Sequence, residues 1–341
     1  MTKQQVSIAI DAMGGDNGSD IIIEGACVAA HKHNARLLLV GDVASIEKSL
    51  SRCNKADAID YEIVPASQVV EMTEKPSEIL RTKKDSSIHV ACKLVKEGRA
   101  DAFVSAGHSG ASVACGMFII GRMKGVDRPA LASIMPSEQK PFVFLDLGAT
   151  VDCTPTNLLQ FALMGNVLAN QYLEYPSPRV ALLNIGEEEG KGNSVAQGAY
   201  TLLKQTKELN FIGNVEGKDV YTGCADVIVC DGFVGNIALK ITEGVTSTIS
   251  TLLKRSLKKN LLSLFGAFLA QSAFKQLKQD TDYSEYGGAL ILGLKQLGIV
   301  AHGRSNAKAI ESATSIAITL AQKKTTTHLQ ASIENNLCLE I

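Results

Sequence analysis

The chain has 341 residues, of which 45% are apolar and 20% charged, and its formal net charge is −1. This composition predicts a soluble globular protein with a full core, and the near-zero charge, the absence of tryptophan and the few aromatic residues argue against a nucleic-acid-binding surface. No run approaches the roughly 20 apolar residues of a membrane-spanning helix, and residues 1–5 lack the pattern of a signal peptide.

The eight cysteines lie mostly inside apolar runs, and no two are spaced C-x-x-C. Thiols in such positions behave as small buried hydrophobes. We therefore expect reduced thiols in a cytoplasmic compartment, without disulfides or a zinc site. No metal ion is expected at the acidic residues 187–189 either, because no histidine or aspartate cluster accompanies them.

Short apolar runs, rich in valine, isoleucine and leucine, alternate with helical patterns along the chain. Such runs are typical of a mostly parallel sheet that is buried on both faces, which predicts an α/β fold. We expect one intertwined α/β body over residues 1–324 and a mobile polar tail over 325–341. The eight predicted strands are residues 6–11, 36–40, 61–64, 102–105, 130–134, 142–147, 179–185 and 227–230.

The first predicted strand ends at Asp11 and leads into a turn that contains Gly14, Gly15 and Asp16. Two adjacent glycines let the backbone approach an anion closely. The glycine pattern of dinucleotide-binding proteins and the P-loop are both absent. We interpret these three residues as phosphate-binding candidates, with a plain tight turn as the alternative.

Three cations, Arg81, Lys83 and Lys84, come directly before the helical pattern of residues 87–98. Cations at the start of a helix oppose the helix dipole, so they do not serve the helix itself. We interpret them as contacts for phosphate or for an acidic protein, and the alternative is a solvated run of charge.

The strand over residues 102–105 leads into the sequence's best candidate for an anion-binding loop. Ser105, Gly107, Ser109 and Gly110 supply hydroxyl groups, free N–H groups and little steric bulk, as a phosphate site requires. His108 lies among them and can act as a hydrogen-bond donor or as a general acid or base. The alternative for His108 is a histidine that only hydrogen-bonds the loop.

Two later strands also end in polar residues. Lys191 lies between glycines after the strand at 179–185, where a ligand can reach it. Asp231 and Asn236 follow the strand at 227–230, where an aspartate can take a proton or orient a base and an amide can stabilise an oxyanion. A structural turn is the alternative for the last two.

Residues 247–280 form a predicted basic amphipathic helical element, in which cations and large apolar residues recur at helical spacing. Such an element can lie in a membrane interface. It can equally pack against the body or a second subunit, and both interpretations stay open. Its candidate contacts with a carrier protein or a membrane are Lys254, Arg255, Lys258, Lys259, Leu261, Leu264, Phe265 and Phe268.

Read together and in order, these loops resemble those of the bacterial phosphate acyltransferases of phospholipid synthesis. The similarity covers roughly residues 6 to 322, and two positions depart from the family pattern, because His108 and Thr150 each stand where the family usually has asparagine. The matching segments are residues 10–16, 83–87, 100–107, 127–131, 159–162, 182–188, 213–217, 231–236 and 286–289.

The resemblance implies a three-layer α/β/α fold, similar to phosphate acetyltransferases and to isocitrate and isopropylmalate dehydrogenases. It implies transfer of a long-chain acyl group from acyl carrier protein to inorganic phosphate, giving an acyl phosphate that a membrane glycerol-3-phosphate acyltransferase then uses. It also implies a cytoplasmic homodimer that associates peripherally with the membrane. Phosphate is itself a nucleophile, so neither a cofactor nor a metal ion is expected.

On this interpretation the loops at 12–16 and 105–111 hold phosphate with support from Lys191. Asp231 and Asn236 form the catalytic cluster, with His108 as a further member. The basic residues steer an acidic carrier protein, and the region around 261–269 forms an acyl-chain groove or a membrane contact.

Three other functions remain open. A nicotinamide-dependent dehydrogenase on the same fold would normally carry a glycine fingerprint with an acidic partner, which this chain lacks. A short-chain phosphate acetyltransferase would accept a coenzyme A thioester. A non-catalytic membrane scaffold rests only on the element at 247–280.

Overall fold

A computed structural model describes residues 5–71, 73–259, 261–275 and 287–337, with the backbone but not the side chain of Leu261. The described residues form an 11-stranded sheet with the order β3-β2-β1-β4-β11-β10-β5-β6-β9-β7-β8. The strands are β1 Ser7–Asp11, β2 Arg36–Gly41, β3 Asp60–Pro65, β4 Ala102–Ser105, β5 Ala130–Met135, β6 Phe142–Leu145, β7 Arg179–Asn184, β8 Asn210–Glu216, β9 Val227–Val229, β10 Ala289–Leu292 and β11 Leu297–Val300.

Seven of the strand pairings are parallel, which confirms the predicted mostly parallel sheet. The three antiparallel pairings, β11 with β10, β10 with β5 and β5 with β6, lie together at the centre. They reverse the strand direction, so β1, β2, β3, β4 and β11 run opposite to β6, β7, β8 and β9. The carboxyl ends of these two groups therefore point in opposite directions. The strand register nevertheless brings Val300, at the end of β11, to within one residue of the level of Leu145, at the end of β6.

Helices cover both faces, as the three-layer prediction requires. Successive side chains of a strand point to opposite faces, so Ile8 and Ile10 belong to the core under one helix layer and Ala9 to the core under the other. The helices are α1 Ser19–His33, α2 Val43–Leu50, α3 Pro76–Thr82, α4 Ser87–Lys96, α5 Ser109–Cys115 with a π-helical continuation Gly116–Ile120, α6 Pro155–Tyr172, α7 Ser194–Gln205, α8 Gly232–Leu257, α9 Leu261–Leu269, α10 Ala307–Gln322 and α11 Thr325–Leu337.

The chain end differs from the sequence prediction. Residues 325–337, predicted as mobile polar tail, form helix α11, which packs on α6. Leu329 and Ile333, one helical turn apart, are almost fully buried, and the Thr325 hydroxyl donates to the Leu320 carbonyl at 3.0 Å. Two apolar residues on one helical face provide enough buried surface to dock an otherwise polar segment. Residues 338–341 lie outside the described part of the chain.

The predicted basic amphipathic element is divided between the outer half of α8 and helix α9, and its residues 276–280 lie outside the described part of the chain. Beyond Glu243 the side chains of α8 are largely exposed, and Ile241, Val245 and Ile249 form an apolar stripe at four-residue spacing, each more than half exposed. Among the described helices, none combines the length and apolar composition needed to cross a lipid bilayer.

Asp226 is a buried carboxylate that ties β7 to β9. It accepts hydrogen bonds from the Arg179 backbone N–H at 2.8 Å and from the Arg179 guanidinium at 3.0 and 3.1 Å, and Lys140 Nζ lies 3.2 Å away. Burial alone raises the pKa of Asp226, but these donors outweigh it and hold the pKa below its ordinary value.

We expect Asp226→Asn to lower the free energy of unfolding at pH 7 by about 2 kcal/mol, since Arg179 and Lys140 remain partly hydrated. The folded chain holds the Asp226 proton less tightly than the unfolded chain, so the stabilisation is complete above about pH 4 and is lost as the pH falls through the lower folded-state pKa. Urea unfolding from pH 7 to pH 2 should therefore show the difference between variant and parent shrinking. An equal difference in unfolding free energy at pH 7 and at pH 2 would contradict this. The control is Asp57→Asn, which changes an exposed aspartate.

Candidate active site

A cavity of about 290 Å³ lies over the face of the sheet at β10 and β5, where the strand direction reverses. It is lined by Ser109 at the start of α5 and by Gly148 in the loop after β6. Asn236 and Lys240 of α8 and His302 in the loop after β11 also line it. The carboxyl ends of β11 and β6 come to nearly the same level across β10 and β5, so the loops and helices that follow the two groups of strands meet at one site.

The two glycine loops after β1 and β4 are packed against each other behind this cavity. A Cβ on Gly14 would lie 2.5 Å from Asp11 Oδ2 and 2.9 Å from the Gly107 nitrogen, so only glycine fits there. The Asp16 N–H donates to the Gly303 carbonyl at 2.9 Å, and the Asp16 side chain is exposed. Gly14, Gly15 and Asp16 do not line the cavity, so the structure places this predicted phosphate loop behind the 105–110 loop.

A buried hydrogen-bonded chain joins the two loops. The Ser105 hydroxyl donates to Asp11 Oδ2 at 2.6 Å and accepts from the Gly107 N–H at 3.1 Å, while Asp11 Oδ1 accepts from the Met13 N–H at 3.3 Å. Burial raises the pKa of Asp11, and the hydrogen bonds oppose that shift. Ser105 and Gly107, predicted to bind phosphate, therefore use these groups to brace the loop. Asp11 was not among the residues that the sequence predicted for the site, although an aspartate at the end of a strand could have suggested it.

His108 is the N-cap of α5. Its Nδ1 accepts from the Ala111 N–H at 3.2 Å, so the ring acts as the polar cap that asparagine can also provide. Within the described residues, the N–H groups of Ser109 and Gly110 donate to no other protein group, and both residues lie beside Gly148 in a depression next to the cavity.

Asp146 organises the opposite side of the cavity, and sequence reasoning missed it. Its buried carboxylate accepts four backbone hydrogen bonds, from Leu131, Gly148, Ala149 and Thr150, at 2.7 to 3.1 Å. Burial raises the pKa of Asp146 and the four N–H donors oppose that shift. The loop so formed holds the start of α8, because the Thr150 carbonyl accepts from the Gly232 N–H at 2.8 Å.

The second departure from the family pattern, Thr150, has a structural use. Its side chain is buried, and its hydroxyl donates to the Pro129 carbonyl at 3.0 Å. Two residues earlier, Gly148 has φ of 124° and lies against the cavity residue Asn236. A Cβ on Gly148 would be 3.5 Å from the Asn236 Cβ. Thr150 thus helps to hold the backbone that faces Asn236.

The structure separates the four predicted catalytic residues. Asn236 lines the cavity, and its side-chain amide has no hydrogen-bond partner among the described residues. Asp231 caps α8, with Oδ1 accepting from the Val234 N–H at 2.8 Å, and it does not line the cavity. Lys191 also lies outside it, half exposed and 3.8 Å from Glu188 Oε2. Only Asn236 therefore shares the cavity with the loop after β4.

Two cavity residues were missed for different reasons. Lys240, which pairs with Glu243 Oε2 at 2.9 Å, lies one helical turn after Asn236, so helical spacing was a signal for it. His302 follows β11, which was not predicted as a strand.

The basic and apolar residues predicted to contact a carrier protein or a membrane differ in how far they are exposed and bonded. Lys83 donates to Glu74 Oε2 and to the Val69 carbonyl, each at 2.6 Å, so its ammonium group holds the segment before α3. Arg81 and Lys84 are exposed. So are the described side chains near the end of α8 and in α9, namely Lys254, Arg255, Lys258, Lys259, Leu264, Phe265 and Phe268, whereas the Leu261 side chain lies outside the described part.

The cavity combines backbone N–H donors, a hydroxyl, an amide and an ammonium group with apolar walls from Leu131 and Leu147. Such a set can bind an anion and stabilise a developing oxyanion. Among the described residues, no group of three or more histidine, cysteine, aspartate or glutamate side chains could hold a metal ion, and the seven described cysteines are unpaired.

Comparisons with known proteins identify the family of this chain. A family model described as "Fatty acid synthesis protein" matches residues 6–328. The chain is 56% identical over 318 residues to a phosphate acyltransferase of Nitratidesulfovibrio vulgaris, covering 93% of this chain and 92% of that relative.

Solved structures show the same fold at low identity. A phosphotransacetylase from Streptococcus pyogenes has 18% identity and a TM-score of 0.62, with 94% of each chain covered. A 4-hydroxythreonine-4-phosphate dehydrogenase from Klebsiella pneumoniae has 14% identity and a TM-score of 0.52, with 94% of this chain and 99% of that one covered. The predicted likeness of the fold to acyl-transferring enzymes and to dehydrogenases is confirmed.

Proposed function

Because the chain belongs to the phosphate acyltransferase family of fatty acid synthesis proteins, we propose that it transfers a long-chain acyl group from acyl carrier protein to inorganic phosphate. The product is an acyl phosphate for phospholipid synthesis. The proposal rests on one observation: Ser109, at the start of α5, and Asn236, near the start of α8, line the same cavity.

The chemistry follows from these donors. Phosphate binds at the Ser109 hydroxyl and the N–H groups of Ser109 and Gly110, with Lys240 offsetting its charge. A phosphate oxygen attacks the thioester carbonyl carbon, and the Asn236 amide donates to the resulting oxyanion. The carbon–sulfur bond then breaks, and the carrier leaves as a thiolate. A thiol has an ordinary pKa of about 8.5, so this step needs no strong general acid.

We propose structural roles for several residues that the sequence predicted to bind phosphate or to be catalytic. Gly14, Gly15 and Asp16 keep the phosphate loop in place from behind. Asp231 and His108 orient α8 and α5 as their caps. Lys191 lies outside the cavity, and in the proposal its positive charge supports phosphate binding.

We further propose that the exposed apolar surface of α8 and α9 mediates assembly and membrane contact. The stripe of Ile241, Val245 and Ile249 suits packing against a second copy, and the exposed Phe265 and Phe268 suit a membrane surface. The protein would then act as a cytoplasmic, membrane-peripheral homodimer that passes acyl phosphate to a membrane glycerol-3-phosphate acyltransferase. Sedimentation of the protein alone and with lipid vesicles tests the two contacts separately.

Trapping with hydroxylamine tests the reaction. Incubating the protein with palmitoyl-acyl carrier protein, phosphate and hydroxylamine should give palmitoyl hydroxamate faster than the same mixture without phosphate or without protein. No phosphate-dependent product from folded protein and intact carrier would contradict the proposal. Acetyl-coenzyme A and nicotinamide cofactors, assayed in parallel, would then identify a short-chain acetyltransferase or a dehydrogenase.

A further inference from the structure

A second, larger depression lies next to the cavity, between α3, α4 and the 116–120 turn, and we call it the α3–α4 groove. Its volume is about 1000 Å³, and Leu80, Ala114 and Phe118 supply apolar lining. Phe118 is 73% exposed, which is unusual for an aromatic side chain without a binding role. The groove thus offers an apolar floor that nothing in the described chain covers.

The groove is continuous with the candidate active site. Ala114 and Phe118 line the groove on one side and, on the other, the depression that contains Ser109 and Gly148. A flexible arm that lies in the groove can therefore cross Phe118 and present a reactive group to the cavity.

The rim of the groove is basic. Arg81, His89, Lys93 and Lys96 line it, against a single acid, Glu97. The Lys93–Glu97 pair is 3.9 Å long with both side chains largely exposed, so it neutralises little. Arg81 and Lys96 have no ion-pair partner among the described residues.

His89 contributes little of this charge. Its pKa is lowered by burial and by the neighbouring cations Lys84 and Lys93. Three cations around an apolar floor, against one carboxylate, nevertheless suit an acidic protein that carries an apolar or flexible thioester arm.

Resting on the function proposed above, we propose that the α3–α4 groove is the docking site of the acyl carrier protein. The carrier's acidic surface contacts Arg81, Lys93 and Lys96, and its thioester arm passes over Phe118 to Ser109. The other basic cluster, Lys254 to Lys259, begins about 27 Å along α8 from Asn236. It is not continuous with the cavity, so it is the weaker candidate for the carrier.

The test is the variant Lys93→Glu/Lys96→Glu, which reverses two exposed charges away from the catalytic cavity. We expect the KM for palmitoyl-acyl carrier protein to rise about tenfold or more, with kcat and the KM for phosphate within about twofold, because rim charges govern encounter with a partner. Raised salt should weaken carrier binding to the parent protein and have less effect on the variant.

Two matched variants make the result specific. Lys32→Glu/Lys55→Glu reverses two exposed charges on the opposite side of the sheet and should leave the KM unchanged. Lys258→Glu/Lys259→Glu tests the α8 cluster. An unchanged KM in the groove variant would overturn the proposal, as would an equal rise in the Lys32/Lys55 control, or a rise only in the α8 variant.

Vesicle binding and the activity of the parent protein distinguish a membrane-binding groove from a failure of the proposed function. Loss of binding to anionic vesicles by the groove variant, with the carrier KM unchanged, would assign the groove to the membrane and overturn the proposal. If the parent forms no acyl phosphate, the proposed function has failed. If the parent is active and the groove variant matches it, only the docking site is wrong. Circular dichroism and urea unfolding confirm that each variant is folded.

Discussion

Replacing Asn236 with alanine is expected to lower kcat about 100-fold, with the KM values for both substrates changed by no more than about threefold. The side-chain amide has no partner among the described residues and faces the backbone of Gly148 inside the cavity. An amide that donates only to the developing oxyanion stabilises the transition state and not the bound thioester, so its loss appears in kcat.

Steady-state kinetics with varied carrier thioester and varied phosphate would measure this effect. Asn236→Asp keeps the shape but replaces the donor with an anion next to phosphate, so it should be at least as damaging. Thr248→Ala changes an exposed residue on the same helix, away from the cavity, and should behave like the parent. A kcat within about threefold of the parent in Asn236→Ala would remove the amide from the mechanism.

Replacing Asp146 with alanine is expected to lower the free energy of unfolding by about 4 kcal/mol or more. The substitution leaves four backbone N–H groups without their acceptor, three of them in the loop at 148–150, and an unsatisfied buried donor costs roughly 1–3 kcal/mol. Because the same loop holds the start of α8, activity should fall along with stability.

Urea unfolding with activity measured in parallel is the test of Asp146. Asp146→Asn keeps one oxygen acceptor and should be folded, with a smaller loss of about 2 kcal/mol. Asp152→Ala changes an exposed aspartate just beyond the loop and should be nearly neutral. A loss below about 1 kcal/mol in Asp146→Ala would mean that the loop forms without its carboxylate.

The eight predicted strands are all present, because burial of most of them on both faces leaves a strong apolar pattern in the chain. The exception is β3, an edge strand with exposed residues. Strands β8, β10 and β11 were not predicted. In β8, the register shifts against β7 near Gly213, which has φ of 102°. Its exposed and buried residues do not alternate regularly, so the strand has no clear period of two. β10 and β11 have four residues each, and β11 contains Gly298, which weakens a strand pattern.

Residue chemistry alone identified the polar strand ends, the close glycine loops and the resemblance to the phosphate acyltransferases. It also singled out Ser109, Gly110 and Asn236 as candidates, which the structure places at one cavity, because glycine, hydroxyl and amide groups after a strand are local signals.

Which of these residues meet was decided only in three dimensions. The β10–β5 pairing joins segments about 150 residues apart and, with the neighbouring pairings, brings the oppositely directed strand ends to nearly the same level of the sheet. The site therefore forms over β10 and β5, between the starts of α5 and α8. Asp231 and His108 cap helices, and Lys240 and His302 line the cavity instead. A local sequence pattern could not predict this, because it does not encode helix direction or long-range strand pairing.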